Sequence, residues 1–232
     1  DTFTEKVLTE LTLISDVPSD MTKAANVTPL TTVLSTLETE AEKVQALQAM
    51  GITATFEELL TTDTWAAAQA GDGSAKATQR VNHQIGLLLQ TAGTLSLDAG
   101  ASLDASLRVS KTVAEQIANA ALAADSLDLA ASSLAETVLV QTLAAVPPAT
   151  QPSAAVITAI AVSVAGVNAV YADPDLDPVS ASGAVVAQAA QNSFQESVAG
   201  VLSGVLSVDQ FEQQVEPETL IGDADLAGSL DT

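Results

Sequence analysis

The sequence predicts an all-α protein, a multi-helix bundle with room for one short strand near its N-terminal end. Three observations carry that expectation. Apolar residues recur at three- and four-residue steps along most of the chain, the spacing that gathers them on one face of a helix. Cap-forming residues open several of those runs. Hydrophobic residues make up 47 % of the chain but aromatics only 3 %, so Ala, Val and Leu must build the core. Small side chains bury little area each, and close approach of helix backbones is the remedy.

The elements follow in order. The stretch "VLTELTLISDVP" (Val7–Pro18) alternates like a strand, with Val7, Leu11 and Leu13 on one parity and Leu8 breaking it. In "VTPLTT", Thr28 takes the N-cap and Pro29 the first helical position, where its missing N–H costs nothing. The Thr cluster therefore reads mostly as a start signal. Leu30, Val33, Leu34, Leu37, Ala41, Val44, Leu47 and Met50 then mark the buried face of one continuous helix that Gly51 ends. Glu38, Glu40, Glu42 and Lys43 fall mainly on its polar side.

Thr55 stands at capping-box spacing from Glu58 and opens a short helix ending near "TTDT". Asp63 or Thr64 caps another short piece that carries Trp65 and stops at "AGDGS". Ser74 opens a long helix to about Ala92, and Thr94–Ser106 reads as a connection. Helical periodicity returns over Leu103–Ala124 and Leu127–Ala145. Pro147 and Pro148 break the chain, since neither can continue a helix. An apolar helix over Ala154–Ala172, a long one over Ala184–Leu206 and a short one within Ser207–Leu220 complete the set. No repeat of 20–50 residues stands out, which argues against a solenoid. The expected organisation is an N-terminal segment 1–24, a helical domain 25–146, and a helical segment 147–232 packed on the same core.

No charged residue occurs from Thr137 to Ala172. The second half of that stretch has the length and apolarity of a membrane span. Asn168, Ser163 and Thr158 lie inside it, and no Lys or Arg flanks it to set orientation. Amphipathic neighbours are plentiful, so the preferred reading is the central helix of a bundle.

The net charge is −22, and after Lys111 there are 15 acids and no Lys or Arg. Such a surface repels phosphate, which argues against nucleic acid and anionic membranes as partners. It suits a salty or extracellular setting. The absence of cysteine removes disulfides, thiolate catalysis and Cys-type metal sites, and is compatible with export. A chain opening at Asp1 without Met or a signal-like apolar segment reads as a mature form or a piece of something longer.

Catalytic constellations are sparse. His83 is the only histidine, with no GxSxG elbow or Gly-rich oxyanion loop to accompany it. Arg80 and His83, one helical turn apart, read as a solvated or interface feature. No phosphate-binding loop or dinucleotide fingerprint occurs, and one Trp and one Tyr are too few for a sugar-binding cleft. One cluster has the character of a metal site: Asp173, Asp175 and Asp177 in "DPDLDP" alternate like the start of a calcium loop. Pro178 stands where an EF-hand needs Gly and Ala184 where it needs Glu, so a Pro-stiffened turn is the competing reading. "GDADLAG" near the end reads the same way.

"ANVTPLTTVLSTL" (Ala25–Leu37), followed by "ALQAMGITATFEELLTTD", resembles a segment of large secreted or surface proteins of bacteria that carry cadherin-like domains or calcium-binding nonapeptide repeats. The likeness covers about Leu11 to Leu89. It implies an exported helical module beside adhesive or structural domains and transfers no catalytic residue. The expected function is thus a non-catalytic structural or interaction module of an extracellular bacterial assembly, with other subunits or its own copies as partners and no cofactor beyond calcium. The alternative is a helical carrier for an apolar ligand such as lipid or pigment, and an enzyme ranks third.

Overall fold

The computed structural model describes residues 12–97, 102–175, 177–216 and 219. Among these the chain forms ten helices and no strand, with 66 % helix. In chain order they are α1 (Pro29–Leu34), α2 (Glu40–Ala49), α3 (Phe56–Thr61), α4 (Thr64–Gln69), α5 (Gly73–Ser96), α6 (Leu103–Ala123), α7 (Ser132–Ala145), α8 (Ala154–Ala172), α9 (Ala181–Leu202) and α10 (Val208–Gln214).

The helix expected from Thr28 to Met50 is two helices. Thr28 does cap α1, trading hydrogen bonds with Thr31, and Gly51 at φ 71° does end α2. Between them Thr39 and Glu42 form a second capping box that restarts the helix. The restart changes the phase. Ala41 and Val44, expected in the core, are exposed, whereas Lys43 is buried beside Ala46 and Leu47.

The expected strand is also replaced over its described part, 12–18; residues 1–11 lie outside the described residues. The alternation is real, but the partners are hydroxyls on helices. Thr12 N–H donates to Ser110 Oγ (3.3 Å), Ile14 N–H to Thr32 Oγ1 (3.2 Å), and Asp16 N–H to Ser35 Oγ (3.0 Å). An extended segment can satisfy every second N–H this way without a neighbouring strand. Part of the Thr cluster in "VTPLTT" therefore anchors the N-terminal segment as well as starting α1.

α5 is the central helix, packing against α1, α4, α6, α7, α8 and α9. Its buried residues run almost all round, from Val81 and Ile85 to Leu87, Leu88 and Leu89. Sequence reasoning gave that place to α8, which lies against α5, α7, α9 and α10 but keeps one side open. α6 and α7 pack together, and both bury small residues, Ala114, Ala118 and Ala121 on α6 and Ala135 on α7. One apolar core takes in residues from Leu30 to Val215, so α8, α9 and α10 share it with the helices before Pro147.

α9 is seated by a polar seam. Gln191 Nε2 donates to Gln90 Oε1 (2.6 Å), Gln195 Nε2 to Thr91 Oγ1 (3.1 Å), and Thr94 Oγ1 to Gln195 Oε1 (2.8 Å). A helix of Ala and Val could slide along its neighbour, and the seam fixes its register. At the C-terminal end of α9, Val205 N–H and Leu206 N–H both donate to Gly200 O, and Gly204 takes φ 73°.

Candidate functional site

Lys76, Arg80 and His83 lie at i, i+4 and i+7 on α5, hence along one face. That face meets the connection between α8 and α9 at its described residues, 173–175 and 177–180, the stretch that holds the three Asp residues. Lys76 Nζ pairs with Asp177 Oδ2 at 2.7 Å. An Arg80 terminal nitrogen donates to Pro174 O at 2.9 Å. His83, one turn further on, has the Pro178 backbone as a neighbour. In place of the expected solvated or interface feature, Lys76 and Arg80 each hold this one loop.

The loop's carboxylates are used within it or by α5. Asp173 Oδ1 accepts Asp175 N–H at 2.8 Å, and Asp177 Oδ1 accepts Val179 N–H at 3.2 Å. The hydrogen bond from Lys76 and that from Val179 hold the Asp177 carboxyl below the usual carboxylate range, with the charges of Lys76 and Arg80 adding to them. Among the described residues no three acidic or imidazole groups are placed to share a metal ion, and Asp173, Asp175 and Asp177 are included in that statement. The alternate Asp spacing serves turn geometry here, because each Asx oxygen caps an N–H two residues on.

His83 sits over Tyr171 of α8, ring centroids 5.5 Å apart and tilted by 33°. The residue retains some exposure, but its Nε2 is sealed from solvent and has no hydrogen-bond partner. Burial pushes the imidazole below its ordinary value, and the Pro178 carbonyl offsets this only in part. Burial also pushes the Tyr171 phenol far up, so it stays neutral.

Beside it lies a second buried polar group. Asn168 of α8 is fully buried and donates to Leu129 O (2.8 Å) and Gln84 O (3.4 Å), while Gln84 Nε2 returns a bond to Asn168 O (2.9 Å). The Asn that counted against a membrane span thus ties α5, α8 and the turn before α7 together. By length and apolarity α8 meets the requirement for crossing a membrane, with 44 % of its most apolar window buried in this fold.

Two surfaces were not visible in the sequence. One is the open side of α8, where Ala155, Thr158, Val162 and Ala169 are exposed, beside Thr137, Val140 and Ala144 of α7. These side chains are uncharged, but the Glu136 carboxylate of α7 stands at their edge and accepts the Thr158 hydroxyl at 2.9 Å. The other is a cleft of about 690 Å³ between the C-terminal ends of α5 and α9 and the α7–α8 connection. Leu97, Pro148, Pro152, Val156 and Leu202 are among its walls, and none of its lining residues is charged. The charge-free stretch was legible, but which of its sides faces outward depends on tertiary packing.

Comparison of the chain with protein-family models, with curated proteins and with solved structures gives no match.

Proposed function

We propose that this protein is a non-catalytic structural module of an extracellular bacterial assembly, and that it associates with its own copies through the open face of α8 and α7. The observation that carries this is the exposed, uncharged row Ala155, Thr158, Val162 and Ala169 on a molecule of net charge −22. Two such molecules repel over most of their surfaces. Repulsion is weakest where charge is sparse, with Glu136 bordering the row through its bond to Thr158, and small side chains there let two helices approach closely. Val162 is 55 % exposed, so its apolar surface gains from being covered. The sealed histidine and the carboxylates engaged as caps and ties support a role without catalysis. The likeness of Ala25–Leu37 to modules of bacterial surface proteins points the same way.

The test is sedimentation at rising protein concentration and salt. The wild type should associate, and Val162→Asp should weaken association at least about tenfold while leaving the monomer's melting temperature within a few degrees. Ile160→Asp, two residues away and fully buried, should instead destabilise the fold by about 3–5 kcal/mol. A wild-type chain that remains monomeric up to about 1 mM would overturn the proposal.

The uncharged cleft favours a second reading, a carrier for an apolar ligand. Its volume falls within the range of about 300–1,000 Å³ usual for small-molecule sites. Under that reading a fluorescent fatty acid binds, Val156→Asp abolishes binding, and Val162→Asp leaves it intact.

A further inference from the structure

We propose that a small pocket between α3, α4 and the start of α5 binds a short aliphatic amine through acceptor groups of Glu58, Asp72 and Thr78. This goes beyond the proposed function and does not depend on it, since the open face of α8 takes no part.

The pocket encloses about 290 Å³, the space of about ten waters. Its walls come from the segment before α3, the junction of α3 with α4, and the first turns of α5. The hydroxyls of Thr53 and Ser74 meet at 2.9 Å and tie the first of these walls to the last. Gln79 Nε2 donates to Thr64 Oγ1 at 2.9 Å and holds the start of α4 to α5. Leu59, Ala67 and Ala75 give the pocket an apolar side.

Its polar side is rich in acceptors. Glu58 Oε2 accepts the Thr55 N–H at 2.8 Å and the Thr55 hydroxyl at 2.9 Å, and Asp72 Oδ1 accepts the Ala75 N–H at 2.9 Å. The second oxygen of each carboxylate has no partner among the described residues. Thr78 is 2 % exposed and spends its hydroxyl hydrogen on the Ser74 carbonyl at 3.0 Å, so it too can only accept from a ligand. No lining residue is basic, and Lys76, one turn along α5, is taken by Asp177 at 2.7 Å. Glu58 lies in the first turn of α3 and Asp72 caps α5, where each helix end offsets about half of one negative charge. The pocket therefore stays net negative.

The ligand that answers this set is a cation that donates N–H. An anion is repelled. Calcium needs a larger set of oxygen ligands than two carboxylates supply. A quaternary ammonium has no N–H to give and favours aromatic faces, and no aromatic residue lines the pocket. A primary ammonium donates to carboxylates and to the Thr78 oxygen alike, while its alkyl chain lies on Leu59, Ala67 and Ala75. Glu58 and Asp72 both touch water, which keeps the affinity modest.

The test is calorimetric titration of the full chain with putrescine, a short aliphatic diamine, at low ionic strength. One molecule should bind per chain, with a Kd of about 0.1–1 mM. Glu58→Gln keeps the capping box and Asp72→Asn keeps the N-cap, so both variants should melt within a few degrees of the wild type. Each should nevertheless weaken binding at least about fivefold. Glu212→Gln removes the same charge from an exposed site on α10 and should change the Kd less than about twofold. Putrescine methylated at every N–H keeps both charges and should bind at least about tenfold more weakly. A wild type that takes up no putrescine, pocket variants that bind like Glu212→Gln, or a methylated analogue that binds as well as putrescine overturns the proposal.

Discussion

Lys43 shows how far a single side chain can depart from its sequence pattern. It was expected on the polar side of a helix, yet its side chain is only 8 % exposed. Its ammonium meets Asp16 at 2.8 Å and Glu40 at 3.3 Å and lies 4.1 Å from the Phe56 ring centroid. Burial alone pulls its pKa down, but the hydrogen bonds and charges of Asp16 and Glu40 outweigh that and raise it. Lys43→Met keeps the apolar stem and removes the charge. Asp16 is 41 % exposed and can return to water, so the cost should be about 1–2 kcal/mol rather than the 3–5 of breaking a sealed pair. Urea denaturation of the two proteins reads the difference. With the folded pKa raised above 10.5, the contribution is complete below that value and disappears as pH climbs through the folded one. The gap between wild type and variant should therefore stay level from neutral pH and close only at strongly alkaline pH. Nothing within a few residues of Lys43 signals this role, because Asp16 joins it from 27 positions away.

Among the elements, local signals were legible and long-range ones were not. Thr28 with Pro29, Thr55 with Glu58, Gly51 and the Pro147–Pro148 break all act through their immediate neighbours, and each does what its spacing predicts. The Thr39–Glu42 cap is equally local, but apolar periodicity ran through it and masked the break. The loop grip stayed hidden for the opposite reason, since Lys76 and Asp177 are 101 positions apart. Two helical glycines separate geometry from propensity. A Cβ at Gly86 would stand 3.6 Å from Pro29 Cγ, an ordinary contact, so Gly86→Ala should stabilise α5 by about 0.5–1 kcal/mol. A Cβ at Gly200 would meet Leu206 Cδ1 at 2.9 Å and Cγ at 3.0 Å. There the same change should cost about 1–2 kcal/mol, because Leu206 folds back over the end of α9. Thermal melts of both variants check the pair, and shifts of the same sign would refute the distinction.

For the whole molecule the scarce cations are placed as ties. Lys43 holds the N-terminal segment, Lys76 and Arg80 hold the loop between α8 and α9, and Arg108 donates to the Ala145 carbonyl at the end of α7. Among the described residues only Lys111–Glu115 is an ion pair within an exposed helix surface, at 3.7 Å. Most of the 29 acids have no cation to meet and repel one another. Raising ionic strength from about 0.01 M to about 0.15 M shortens the screening length from about 30 Å to about 8 Å. The melting temperature should rise with it, with calcium or magnesium effective at lower concentration than sodium. A melting temperature that falls with salt would mean that ion pairs outweigh repulsion. The polar seam between α5 and α9 has a different consequence, which concerns the order of events in time. α6, α7 and α8 meet their neighbours across short connections, whereas Gln90 finds Gln191 only by closing a loop of 101 positions. The entropy of closing so long a loop must be met before any seam bond can form, so helical hairpins assemble first. The seam is then a finishing step, taken by the C-terminal helices on a scaffold already built, and a nascent chain needs nothing beyond α8 to begin folding.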